Sequence, residues 1–287
     1  MTLPLPADCT PVPPGQAVPP DWNKGPLTQY PLPSRVDLAL ASPNLWSPRT
    51  NASARRAATT LDTLTRSRLP RAVRAADALE DAAVRRAAAE VDQVLHVGFG
   101  LDRAGGALYR RWEDVHAARP GQRTVAVTTC RYAYGYALSR CEDVPLLLYS
   151  YPQHLGQLLD NPHLRLALDL ERPIAMVLAG LHRSPHSGAG ALLDAALTTL
   201  APGSTLTLVG IATDVPSASG RLERHWQRQT GQRPLIVHPP SLAERIARIA
   251  RSGAPGWGAP QAANTNAATL PIRAFGARYL RAAPNTT

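Results

Sequence analysis

Short apolar runs recur along the chain from residue 93 onward, each separated from the next by an amphipathic stretch. Val94-Leu-His-Val, Thr124-Val-Ala-Val-Thr, Pro145-Leu-Leu-Leu-Tyr-Ser, Pro173-Ile-Ala-Met-Val-Leu-Ala and Ser204-Thr-Leu-Thr-Leu-Val-Gly predict five strands in succession. Helical periodicity fills the gaps: Ala107–Ala118, a segment around Tyr134–Arg140, His154–Leu159, Leu164–Leu168 and Gly190–Leu200. Strands alternating with helices predict a parallel sheet covered on both faces. Pro173–Ala179 is apolar throughout, as a strand at a sheet centre requires.

The flanks read differently. Residues 1–33 are dense in proline, which fixes φ and removes a donor, so they predict an extended or disordered arm that Trp22 and Tyr30 can pin down. Residues 34–90 read as a helical N-terminal region, with alanine-rich amphipathic segments over Ser53–Leu64 and Ala76–Ala89; Leu79, Ala83 and Ala87 share a face of the second. The main α/β domain is expected over 91–287. Beyond its fifth strand, Arg221–Thr230 and Ser241–Arg251 predict helices, the latter with Ser241 as cap and Glu244 completing a capping box. Thr269–Leu280 supplies closing strand material.

Composition narrows the class. Hydrophobic residues make up 44% of 287, enough for a sizeable core, but aromatics are only 5%, so that core is built from Ala, Leu and Val. The net charge is +10. The arginines are scattered, with the densest pairs at Arg55-Arg56, Arg85-Arg86 and Arg110-Arg111 in helical segments, and read as solvated faces; nucleic-acid binding trails other readings. Cys9, Cys130 and Cys141 show neither a disulfide framework nor zinc spacing. The N-terminus lacks the pattern of a signal peptide, and no apolar stretch has the length of a membrane span, so a cytoplasmic protein is expected.

The chemistry centres on Gln93–Leu101, an apolar strand running into Gly98-Phe99-Gly100. Strand, glycine turn and helix form the opening unit of a nucleotide-type site, because glycine lets backbone approach a ligand; a plain packing turn gives the same letters. Asp102 follows the turn. His182, with Arg183 and His186, follows the central strand, on the side where α/β sheets bind ligands, and His182 is a candidate general base. Pro185 between the two histidines argues against a metal pair, and no metal site is expected. Tyr132, Tyr134, Tyr136, Tyr149 and Tyr151 bring aromatic faces to the ends of strands two and three. No Gly-x-Ser-x-Gly elbow or phosphate loop is present, and the glycine pattern lacks the third glycine of a dehydrogenase.

In their order and spacing over about Ser34 to Arg281, three stretches resemble a bacterial S-adenosyl methyltransferase family long filed as a domain of unknown function. They are Leu95-His-Val-Gly-Phe-Gly-Leu101, Arg172-Pro-Ile-Ala-Met-Val-Leu followed by Leu181-His182, and Leu200-Ala-Pro-Gly-Ser204. The resemblance implies the Rossmann-like class I methyltransferase fold: a seven-stranded, mostly parallel sheet with helices on both faces and a helical N-terminal extension. It implies S-adenosylmethionine as cofactor and a small-molecule acceptor, to be sought among secondary metabolites, with a homodimer left open. Cofactor contacts would fall on His96, Gly98, Phe99, Gly100, Asp102, Thr128, Thr129, Ser150, Tyr151 and Leu181, with His182 in the transfer pocket.

The chain departs from the family at its acidic positions. His96 stands where a carboxylate precedes the glycine turn, Thr128 where one accepts both ribose hydroxyls, and Ser150 where one lies near the adenine. A hydrogen bond to a charged acceptor contributes about 1.5–3 kcal/mol against about 0.5–1.5 for a neutral one, so loss of the ribose carboxylate weakens binding ten-fold or more. Weak cofactor binding or none is therefore expected unless Asp102, Glu142 or Asp143 has taken over. Two readings follow: a methyltransferase, or a catalytically degenerate relative that keeps the fold for binding or scaffolding.

Overall fold

A computed structural model describes residues 59–60, 63, 69–99, 119, 121–130, 133–134, 137, 146–150, 152–181, 186–213, 216–230, 236–252, 257–258 and 272–282. The arm over 1–33 and the helix expected over 107–118 lie outside the described residues. Helix α1 (Leu69–Glu90) leads into β1 (Gln93–Val97). Then come β2 (Arg123–Thr128), β3 (Leu146–Tyr149), a 3-10 helix (Pro152–Asp160), α2 (Pro162–Ala167), β4 (Ala175–Leu178), α3 (His186–Thr199), β5 (Thr205–Ala212), α4 (Pro216–Thr230), α5 (Pro239–Ser252) and β6 (Arg273–Leu280).

The sheet order is β3-β2-β1-β4-β5-β6. The first five strands are parallel, and β6 runs antiparallel to β5. From β1 the chain moves outward through β2 and β3, then returns to β4 on the other side, which makes β1/β4 the switch point where α/β sheets bind ligands. Seven strands were expected and six are found among the described residues. Val237 makes a single parallel bridge to Ala212, and the helix that opens at Pro239 ends the segment before it can pair further.

Alternate strand residues serve opposite faces. Leu95, Val97, Val125, Val127, Met176 and Leu178 pack with the leucines of the 3-10 helix, α2 and α3. On the other face Val94, Ala126, Ala175, Val177 and Val209 meet Ala76, Val84 and Ala87 of α1. Helix α1 forms because Leu69, Ala72, Val73, Ala76, Val84 and Ala87 recur at helical spacing and are all buried. Gln93 fixes the start of β1: its side-chain amide donates to the Asp169 carbonyl at 3.0 Å and accepts from the Asp169 N–H at 2.7 Å.

Helix α5 begins earlier than the capping pattern suggested. Pro239 and Pro240 occupy its first turn, where a fixed φ and a missing N–H cost nothing. Ser241 is therefore inside the helix, and its hydroxyl pairs with the His238 ring Nδ1 at 2.7 Å.

Candidate ligand crevice

The carboxyl ends of β1, β2, β3 and β4 bring together the residues singled out in the sequence. Gly98 leaves β1 with φ +97°, a region that side chains rarely adopt. A Cβ added there would overlap the Ala179 carbonyl oxygen just past β4. The turn is held on both sides: the Gly98 N–H donates to the Val127 carbonyl at 2.8 Å, and the Ala179 N–H to the Val97 carbonyl at 2.7 Å. Only glycine lets the backbone thread this gap.

Thr128 ends β2 and is fully buried. Its hydroxyl donates to the Phe99 carbonyl at 2.7 Å and accepts the Cys130 N–H at 3.0 Å. The side chain thus ties the glycine turn to the end of β2. Ser150 is buried just past β3, and its N–H donates to the Thr128 carbonyl at 3.0 Å. Thr129 is partly buried at the same rim, and Cys130 beside it forms no disulfide among the described residues. The rings of Tyr134 and Tyr149 lie 6.1 Å apart, so two of the five tyrosines do meet at the ends of β2 and β3. Leu181 is packed in the core, its Cβ 2.9 Å from where a Cβ on Gly210 of β5 would stand. Gly100, Asp102, Tyr151 and His182 lie outside the described residues, as do Glu142 and Asp143.

His96 is fully buried, and its ring points away from the first core face toward α1. Its Nε2 lies 3.1 Å from Oε1 of Glu80, which is itself 2% exposed. The registered neighbours on either side are Ala126 on β2 and Val177 on β4, so the pair sits in apolar surroundings. The Phe99 ring is 6.2 Å from the imidazole. Glu80 escaped the sequence reading because a glutamate in an alanine-rich helix reads as a solvent-facing residue. Its signal was positional: it falls between Ala76 and Val84 on the stripe that faces the sheet.

Chemically, the described rim offers backbone amides, hydroxyls, a thiol and aromatic faces. Among the described residues no group of three His, Cys, Asp or Glu side chains is arranged to hold a metal ion. Nor, among them, is any helix long and apolar enough to cross a membrane.

Two solved structures show this fold over nearly their whole length. One is a protein assigned only provisionally as a methyltransferase, from Thermobifida fusca YX, with 20% identity and a TM-score of 0.60; the match covers 87% of this chain and 94% of that one. Another is a DUF574 family protein from Streptomyces avermitilis MA-4680, also 20% identical, with a TM-score of 0.62 and coverage of 88% and 98%. No protein-family model matches the sequence, and no curated protein matches it. The likeness establishes the architecture: a Rossmann-like fold of the class I methyltransferase kind.

Proposed function

We propose that the protein is an S-adenosylmethionine-dependent methyltransferase of a divergent family, acting on a small molecule. The observation that carries this reading is the whole-domain likeness to the two solved structures, joined to a positive-φ glycine turn at the β1/β4 switch point where α/β sheets bind ligands. Methyl transfer requires chiefly that donor and acceptor be aligned in a dry pocket, so the acceptor can vary widely on one scaffold. In this reading the acceptor is a secondary metabolite, the protein works in the cytoplasm, and a homodimer is its assembly.

The described residues meet one need of such a cofactor and leave another open. Gly98 forms the sharp turn that opens the switch point, with the Ala179 carbonyl filling the space beside it. The acidic contacts to the ribose and ammonium are not supplied by His96, Thr128 or Ser150, and fall instead to Asp102, Glu142 or Asp143. His182, directly after Leu181, is the residue to take a proton from the acceptor.

A specific observation favours a second reading, in which the fold is kept without a working cofactor site. Thr128 and His96 both direct their polar atoms into the protein, toward Phe99 and Glu80. Calorimetry of the full chain with S-adenosylmethionine and S-adenosylhomocysteine separates the two. Micromolar affinity supports the enzyme and sinks the degenerate reading; no heat at millimolar ligand does the reverse.

A further inference from the structure

Helix α4 carries a row of exposed arginines that no carboxylate answers among the described residues. Arg221, Arg224 and Arg228 are all exposed, while Leu222, Glu223 and His225 are buried on the other side of the helix. At 100° per residue the three arginines fall within an arc of about 60° and are spaced about 4.5 and 6 Å along the axis. Glu223 is the helix's one acidic residue, and it is turned inward. On other helices Arg86 is answered by Glu90 at 2.9 Å and Arg245 by Asp194 at 2.6 Å, while exposed Arg71, Arg74 and Arg248 have no such partner among the described residues but do not line up as three on one face. None of the three on α4 has a carboxylate within ion-pair distance among the described residues. The charge of Arg228 is felt inside the helix as well. Burial first, and then the charge of Arg228, hold His225 below its ordinary value.

We propose that this row is a docking surface for the phosphate backbone of a nucleic acid. The row spans about 10.5 Å of helix axis, so its three long side chains can reach neighbouring phosphates of one strand. The chemistry agrees, since guanidinium groups fork onto phosphate oxygens. Gln227, exposed beside the row, adds a neutral donor for sugar or phosphate oxygens. An anionic bilayer is the poorer fit, because an interfacial helix must also present an apolar face to the lipid, and Leu222 is buried in the protein. The net charge of +10 provides the long-range attraction. Along the sequence the three residues are separated and form no run; the helix aligns them.

The test is fluorescence anisotropy of the full chain with a labelled DNA duplex and a labelled single-stranded RNA, titrated across salt concentration. The triple variant Arg221→Gln/Arg224→Gln/Arg228→Gln is expected to bind more weakly, with a log K against log salt slope shallower by about 2.7 on the duplex, for three lost phosphate contacts. A control of equal charge change, Arg71→Gln/Arg74→Gln/Arg248→Gln, alters exposed arginines elsewhere and should leave most of the slope intact. The proposal is overturned if the wild type fails to bind either nucleic acid near physiological salt. It is equally overturned if the control matches the α4 variant, or if the chain binds phosphatidylglycerol vesicles and neither nucleic acid. No methyl donor enters the assay, so the result is independent of the methyl-transfer reading.

Discussion

Removing the carboxylate of Glu80 is expected to destabilise the protein severely, and removing His96 with it is expected to restore most of the loss. The two side chains are 2% and 0% exposed and lie 3.1 Å apart, with Ala126 and Val177 flanking the imidazole. Water cannot reach either group to replace a lost partner. Breaking a buried ion pair costs about 3–5 kcal/mol, because the survivor keeps its desolvation penalty and loses this partner. Replacing both groups by apolar residues of similar volume is close to neutral or even stabilising. Glu80→Leu and His96→Leu should therefore each cost about 3–5 kcal/mol, while the double variant falls within about 1–2 kcal/mol of wild type.

Urea unfolding of the full chain measures this, with unchanged m-values showing that the same surface is exposed in each variant. Amide exchange adds a local readout. His96 lies two residues before Gly98, so the single variants should exchange faster at Gly98 and Phe99, and the double variant should recover. The reasoning fails if either single variant costs less than about 1 kcal/mol, or if the double variant loses the sum of the two. Additivity would mean that the 3.1 Å approach is not an energetic contact.

Three further outcomes are expected. Gly98→Ala combines a positive-φ penalty of about 1–2 kcal/mol with overpacking against the Ala179 carbonyl of about 1–3, and a denaturant melt showing a loss below 1 kcal/mol would contradict the turn geometry. Thr128→Val keeps the shape but leaves the Phe99 carbonyl and the Cys130 N–H without the hydroxyl, for a loss of about 1–3 kcal/mol and faster exchange at Cys130; wild-type exchange there would refute the tie. Burial and then Arg228 lower the pKa of His225 below 6.5, so the unfolded chain takes up a proton first as pH falls. Its contribution to stability is complete above about pH 6.5 and declines below it, so thermal midpoints between pH 7.5 and 5 should fall less in Arg228→Gln than in wild type.

Strand identity was legible because an apolar run in a parallel sheet needs no partner information to be recognised. Val94–Val97, Thr124–Thr128 and Ser204–Gly210 all became strands close to those limits. What the sequence left hidden depends on which face a residue turns to the sheet. Glu80 belongs to the buried stripe only because α1 lies over β1 and β4, and its partner His96 is distant in the chain. The Ser241 cap failed for a local reason, since two prolines offered the helix a better start. Leu181 was expected as a cofactor contact from the resemblance, and its packing against Gly210 of β5 could be seen only in the fold. The α4 arginines needed the helix axis to become a row.

Fold and cofactor site rest on different residues here, which is how one can persist while the other changes. The sheet is specified by alternating apolar positions whose burial does not depend on any ligand. The ribose contact expected at the end of β2 rests on a single side chain. A carboxylate there could accept both ribose hydroxyls, but it has no proton to give the Phe99 carbonyl. The Thr128 hydroxyl has one proton, and Phe99 takes it; one lone pair is occupied by the Cys130 N–H, and the atom is buried. Contact with two ribose hydroxyls is beyond what remains. The turn is built around a hydroxyl, and β1 around an imidazole that lies against Glu80. Two polar positions near the crevice make contacts within the protein, so the proposed cofactor reading depends on a carboxylate from another loop.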